Sequence, residues 1–232
     1  MLFSDPLKRN KLLFWLAVGW GAASILDSVL HYTNPIHFIR TYGITSIGYI
    51  ASFVLFLLCT LGKTASHLMS RLYPVGIIAY CAPYVYSILS DIFILIMGGY
   101  SINVWGIISI ALTALYTIAL VIITVFLFTR KYQPWLFTAF CASAGAWFAL
   151  GIVLRIMDFV IFAIQPDLWQ LLWQLFYILF AALPIIFIAI TLWTGCFFPP
   201  EMRLRQLMSM RAAGKLDEVS YQEQRAEVIE NL

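Results

Sequence analysis

Residues 103–129 read NVWGIISIALTALYTIALVIITVFLFT, a run without a single charged side chain. A helix needs about 20 apolar residues to cross a hydrocarbon core of about 30 Å, so this run is long enough to span a membrane. The strands of outer-membrane barrels instead alternate apolar and polar residues over only about 9–11 positions. The run therefore predicts a transmembrane helix.

Similar apolar runs recur along the 232-residue chain, of which 62% is hydrophobic and only 11% is charged. An average soluble domain has about 25% charged residues. The predicted fold class is all-α: a polytopic helical membrane bundle (residues 12–198) of six transmembrane helices, with a short N-terminal segment (1–11) and a C-terminal tail (199–232) that forms a short cytoplasmic helical hairpin. The six predicted spans are residues 12–31, 43–62, 74–97, 103–129, 135–164 and 168–198.

The lysines and arginines predict the orientation of this bundle. Apart from Arg155 inside the fifth span, they precede the first span, follow the sixth, or lie between spans two and three and between spans four and five, whereas the opposite side holds only Arg40. Because cytoplasmic loops carry the excess of Lys and Arg, both termini are predicted to be cytoplasmic, in a bacterial inner membrane. Insertion into the bilayer also explains the net charge of +3, so the lipid bilayer is a predicted partner and nucleic acid is not.

A cleaved signal peptide is the alternative interpretation of the first span. KRNK (8–11) followed by LLFWLAVGWGAASIL (12–26) has the basic start and apolar stretch of such a peptide. The apolar run continues to Val29 and Leu30, however, and its removal would leave an odd number of spans. Retention as a transmembrane helix is therefore the favoured interpretation.

Charged residues inside the predicted spans are the candidate functional residues. The fifth span contains GIVLRIMDFVIFAI (151–164), with Arg155 and Asp158 on one helix face, and Asp27 and Asp91 lie at comparable depth in the first and third spans. A charge facing lipid near the bilayer centre costs about 2.5–3.5 kcal/mol. These side chains are therefore expected to face the bundle interior or water, in the outer half of the membrane.

Two arrangements of these charges are possible. If the three aspartates cluster with Arg155, and His31 stays neutral one turn beyond Asp27, the site is negative and suits a cation, a proton or a small polar solute. If Arg155 pairs only with Asp158, the other two aspartates are simply hydrated and the cluster is structural. The predicted ion- or substrate-binding residues of the first arrangement are Asp27, His31, Asp91, Arg155 and Asp158.

The sequence predicts no catalytic residue, no metal site and no cofactor. Neither an H-E-x-x-H nor a G-x-S-x-G motif is present, so an enzyme is the least favoured class. The cysteines Cys59, Cys81, Cys141 and Cys196 lack C-x-x-C spacing and have no histidine beside them. They are expected to be small packing residues.

The polar tail is predicted to form two short helices joined by a turn. Gly214 is a candidate C-cap of the first helix and Asp217 a candidate N-cap of the second. A hairpin of this size has too little core to be stable alone, so it is expected to self-associate, to dock on the loops or to bind a membrane-protein partner. The apolar residues predicted to bind a partner are Leu204, Leu207, Met208, Tyr221 and Val228.

The stretch MRLRQLMSMRAAGKLDEVSYQEQRAEVI (202–229) resembles the short C-terminal domain known as SHOCT. The leucines of the first helix, the Gly-Lys-Leu turn at 214–216 and the aromatic Tyr221 stand at matching places. Asp217 replaces the usual Thr of the cap, and Ser220 replaces an acid. The resemblance covers only the tail and implies a role in oligomerisation or protein contacts, without catalytic residues.

Two functions are consistent with these observations. The first is a small transporter or channel with a polar cavity in the outer half of the membrane. Pro83 and Pro184 would kink the third and sixth helices of such a protein. The second is a non-catalytic membrane scaffold or accessory subunit that assembles through its tail.

Overall fold

The computed structural model describes residues 6–32, 43–61, 67–97, 104–162 and 168–230, and these ranges consist of helices and short connections. No strand occurs among the described residues, which confirms the all-α prediction. The helices are α1 (Pro6–Tyr32), α2 (Gly43–Leu61), α3 (His67–Ile96), α4 (Val104–Phe128), α5 (Trp135–Phe162), α6 (Leu168–Thr194), α7 (Pro200–Ala212) and α8 (Glu218–Glu230).

Helices α3, α4 and α5 are long and apolar enough to cross a membrane. The qualifying segments are Leu68–Ile96, Val104–Phe128 and Trp135–Leu154. Within the described residues, α2 and α6 contribute shorter apolar segments, Ser46–Leu61 and Ile178–Thr194. By their length and composition, these three helices point to a membrane location.

Three predicted boundaries differ from the observed helices by four residues or more, and the first is the start of α1, which lies at Pro6 and not at residue 12. Helix α3 begins at His67, so Pro74 lies inside it and not at a span end as expected. Tyr73 and Ile77 on either side are fully buried, and their packing holds the helix together across the hydrogen bond that proline cannot make. Helix α6 ends at Thr194, four residues early, because Gly195 turns the chain with a φ of 62°.

The six long helices form a closed ring. Each of α1 to α5 packs against the next helix in the chain, and α6 packs back against α1. Contacts between α2 and α3 join Gly48 to Pro83 at one end and Cys59 to Met69 at the other, so these two helices are antiparallel. The ring places one face of every helix toward a common interior.

Aromatic side chains fill the interior of this ring. The largest fully buried side chains include Trp20, Tyr73, Tyr80, Tyr116 and Phe187. The Tyr73 and Thr191 hydroxyls are hydrogen-bonded across the interior, which ties α3 to α6. Large flat rings bury much apolar surface and still bring a polar group that needs a partner.

The two tail helices form the predicted hairpin. Leu207, Tyr221 and Val228 make its core. At the turn, the Lys215 N–H donates to the Met210 carbonyl and the Gly214 N–H donates to the Arg211 carbonyl, which is the Schellman pattern and confirms the predicted C-cap.

Asp217 caps the start of α8, as predicted. The Ser220 hydroxyl donates a hydrogen bond to the Asp217 carboxylate, and the Ser220 backbone N–H donates a second one. These bonds hold the pKa of Asp217 below its usual range. A depressed pKa means that the cap stabilises the folded hairpin above the carboxyl's unfolded pKa, and that this contribution is lost as pH falls through the lowered value.

Candidate functional site

Of the five predicted ion- or substrate-binding residues, Asp91 is the one whose side chain the structure describes. It is exposed on the last turns of α3, where the side chain of Ser87, one turn earlier, hydrogen-bonds to it. The side chains of Asp27, His31, Arg155 and Asp158 lie outside the described part of the chain, although their backbones belong to α1 and α5. Their convergence with Asp91 therefore stays a prediction.

The exposure of Asp91 marks where the packed interior ends. Ile77 and Tyr84 precede it on the same face of α3, each about two helical turns apart, and both are buried. Helix α5 shows the same change, because Ala144 is fully buried and Gly151, two turns later, is exposed. At this end of both helices, the face that packs inward on earlier turns is accessible.

A layer of aromatic side chains closes the interior just before that change. It consists of Trp20, Tyr49, Tyr80, Tyr84, Tyr116, Trp147 and Phe180, and is called the aromatic layer below. The Trp20 ring packs edge-on against Tyr80 at a centroid distance of 5.8 Å, and the Tyr116 and Trp147 rings stack at 5.2 Å. Trp20, Tyr80 and Tyr116 are at most 1% exposed, so these three side chains are closed off from solvent.

The aromatic layer also contains a chain of hydroxyl groups. The Tyr116 hydroxyl donates to the Tyr80 hydroxyl at 3.2 Å, and the Tyr80 and Tyr84 hydroxyls are 2.9 Å apart. The indole N–H of Trp147 donates to Thr113 at 3.1 Å. A hydroxyl can both donate and accept a hydrogen bond. The row of hydroxyls is therefore able to bind a polar solute that reaches it, or to relay a proton.

The sequence contains a weak signal for this layer. YCAPYVY (80–86) places Tyr80 and Tyr84 one turn apart on the third span, next to an internal proline. Their spacing puts the two phenols on one helix face. The contribution of Tyr116 from α4 depends on how two helices align, and no pattern within one span predicts that alignment.

The tail docks on the end of the bundle through Gln206. Its amide donates to the carbonyls of Leu192 and Trp193 at 3.2 and 3.0 Å, which are among the carbonyls that α6 leaves unpaired at its C-terminus. Met202 is part of the core of the bundle. Arg130 and Glu201 add an exposed ion pair at 3.1 Å.

The tail residues predicted to bind a partner lie mostly within the hairpin. Leu207, Tyr221 and Val228 are buried in its core, and Leu204 packs against them. Met208 is 60% exposed. In the single chain, therefore, Met208 is the member of the predicted set that presents most of its side chain to the surroundings.

The described cysteines are all free thiols. Within the ranges that the structure describes, no group of three or more His, Cys, Asp or Glu side chains is arranged to hold a metal ion.

No protein family, curated protein or solved structure matches this chain. The resemblance of residues 202–229 to a SHOCT domain therefore stays a prediction.

Proposed function

We propose that this chain is a six-span inner-membrane protein with cytoplasmic termini that carries a small cation, a proton or a small polar solute. The six long helices agree with the six apolar runs, and the distribution of Lys and Arg supports the orientation. In this orientation, the aromatic layer lies on the cytoplasmic side of an opening toward the outside.

One observation carries the proposal: Asp91 is exposed on a helix face that is buried two turns earlier at Tyr84. Helical spacing puts the backbones of the other two acids beyond buried residues of their own helices, with Asp158 about two turns further out than Asp27 and Asp91. Asp27 follows Trp20 by about two turns of α1, and Asp158 follows Ala144 by about four turns of α5. Three acids beyond one closed layer support an outward-facing site with negative charge.

A carrier fits this arrangement better than an open channel. The aromatic layer fills the interior, so passage requires the layer to rearrange. Pro83 lies beside Tyr84 on α3, and Pro184 lies one turn from Phe180 on α6. Each proline removes one helical hydrogen bond, and these two sites are where α3 and α6 would bend to open the layer.

Asp91→Asn is expected to abolish the flux of protons or monovalent cations into proteoliposomes, while the protein stays folded. The substitution removes the carboxylate charge and keeps the size of the side chain. Flux of protons and of monovalent cations would be followed with entrapped fluorescent indicators under an imposed gradient. Wild-type rates in Asp91→Asn would contradict the proposed site.

Asp217→Asn is the matched control. It removes the same charge from the tail, and asparagine caps a helix about as well as aspartate. Its flux is expected to equal that of the wild type. Equal losses in both variants would assign the effect to net charge and not to the site.

A scaffold that assembles through its tail is the second candidate. Apolar side chains stay exposed on the hairpin, Met208 at 60% and Val219 at 67%. Contiguous exposed apolar surface marks interaction sites, and we take these two side chains as the candidate contacts. The candidate occupant is a second copy of this chain.

Val219→Glu is expected to reduce the particle from an oligomer to a single chain in detergent, because the charge would be buried without a partner in the interface. Light scattering coupled to gel filtration measures the mass. Arg225→Gln, an equal change in net charge at an exposed position across α8, is the control and should leave the mass unchanged. A wild type that is already a single chain would rule out assembly through this surface.

A further inference from the structure

Arg9, in the first turns of α1, has a buried guanidinium group. The residue is only 8% exposed, and its Nε atom has no hydrogen-bond partner. The other buried side-chain atom without a partner in the described part of the chain is Oδ1 of the neighbouring Asn10. The first turns of α1 thus hold an unpaired donor and, on the next residue, an unpaired acceptor, and burying a polar group without a hydrogen bond is unfavourable.

Arg203 of α7 brings a second guanidinium group to the same end of the bundle, near enough for the charge of Arg9 to act on it. Its two terminal nitrogens donate to Gln206 at 2.7 Å and to Gln224 at 2.9 Å, which are neutral acceptors. Gly195 leaves room for this arrangement, because a Cβ there would stand 3.0 Å from Nη1 of Arg203 and 2.0 Å from Oε1 of Gln206. Burial and the nearby positive charge of Arg9 lower the pKa of Arg203 to about 10.

The described groups around the two arginines do not supply matching negative charge. Tyr132 is neutral at pH 7, since burial raises its pKa, and Cys196 is a buried free thiol. Among the described carboxylates, Glu227 acts on Arg203, and none forms an ion pair with Arg9. Within the described part of the chain, two guanidinium groups therefore face one carboxylate, with a buried N–H still unpaired.

We propose that Arg9 and Arg203 form a binding site for a phosphate group, either of free phosphate or of the headgroup of an anionic lipid. Guanidinium groups match phosphate oxygens in charge and in the geometry of their N–H fork. Arg9 Nε supplies a donor that is already desolvated and unpaired.

The position of the site favours a lipid headgroup as the source of the phosphate. It lies where α1 begins and α6 ends, at the end of the bundle that the tail covers. Lys8 and Lys11 are exposed on the same turns of α1. Basic residues beside a membrane helix attract anionic lipids of the cytoplasmic leaflet. The bound phosphate would join α1 to α7 and fix the tail to the bundle.

Phosphate binding at this site does not depend on transport activity. It is tested on the full chain in neutral detergent. Thermal unfolding is followed by circular dichroism at constant ionic strength, with inorganic phosphate in one arm and micelles containing phosphatidylglycerol in the other. Chloride and phosphatidylcholine are the respective controls. A ligand that binds only the folded state raises the midpoint with its concentration.

A rise with phosphatidylglycerol alone identifies the lipid headgroup, and a rise with both at equal phosphate concentration identifies the phosphate group by itself. Arg9→Gln and Arg203→Gln are expected to raise the half-saturating concentration at least tenfold. Arg130→Gln removes an exposed, ion-paired arginine at the same end of the bundle and should change it less than twofold.

Arg9→Lys keeps the charge but loses the fork, and it replaces Arg9→Gln if that variant does not fold. Its half-saturating concentration is expected to lie between those of the wild type and Arg203→Gln. No rise of the wild-type midpoint with either ligand overturns the proposal. An unchanged half-saturating concentration in the folded variants of Arg9 and Arg203 overturns it as well.

Discussion

Trp20→Ala is expected to lower the free energy of unfolding by about 3–5 kcal/mol, the usual range when a large buried ring is truncated. Trp20 is 1% exposed at the centre of the aromatic layer. Its ring contacts Tyr80 and Phe180, with centroids at 5.8 and 4.5 Å, and its indole N–H donates to Ser52 at 3.3 Å. Alanine would leave a cavity shared by four helices and a hydroxyl without its donor.

Trp15→Ala is the matched control, because the same side chain is removed from the same helix at a site that is 59% exposed. Its effect on the free energy of unfolding is expected to stay within about 1 kcal/mol, since exposed substitutions rarely cost more. Unfolding would be followed by far-ultraviolet circular dichroism in mixed micelles of increasing denaturing detergent. Equal losses of unfolding free energy in the two variants would mean that the aromatic layer does not hold the six long helices together.

Gly48→Ala is expected to destabilise the protein by about 1–3 kcal/mol, the usual cost of forcing an extra carbon into a packed interior. A Cβ at Gly48 would stand 2.8 Å from the Pro83 ring and 2.9 Å from the carbonyl oxygen of Ala79. The second neighbour is backbone and cannot turn away, so α2 and α3 must separate. Close packing through small residues is a main source of helix association in membranes.

Gly145→Ala on α5 provides the opposite case. Nothing lies within 4 Å of a Cβ at this position, and alanine favours the helix over glycine by about 0.5–1 kcal/mol. This variant is expected to be neutral or slightly stabilised in the same detergent titration. If Gly48→Ala behaves like Gly145→Ala, the close approach of α2 to α3 does not limit stability.

Hydropathy alone predicts most of the long helices. The apolar run at 103–129 became α4, Val104–Phe128, and the run at 135–164 became α5, Trp135–Phe162. These predictions work because a membrane helix must be continuously apolar, whatever its neighbours are. The start of α3 was predicted wrongly, because the packing of Tyr73 and Ile77 outweighs the local effect of Pro74.

The candidate sites are less accessible from the sequence. The intramembrane acids stand out because charge is costly in lipid, which is a property of one residue at a time. The hydrogen bonds among Tyr80, Tyr84 and Tyr116 depend on the alignment of α3 with α4. Arg9 follows the positive-inside rule like its neighbours, and only the packed bundle with its docked tail reveals that it is buried.

The contact between α1 and α6 that closes the ring also constrains how the protein is made. Trp20 is synthesised early, and its partner Phe180 is 160 residues later in the chain. At about 5–20 residues per second, the first helix waits roughly 10–30 s at the ribosome before the last one arrives. During that interval the inward face of α1, with its serine and tryptophan, must be sheltered by the insertion machinery or by lipid.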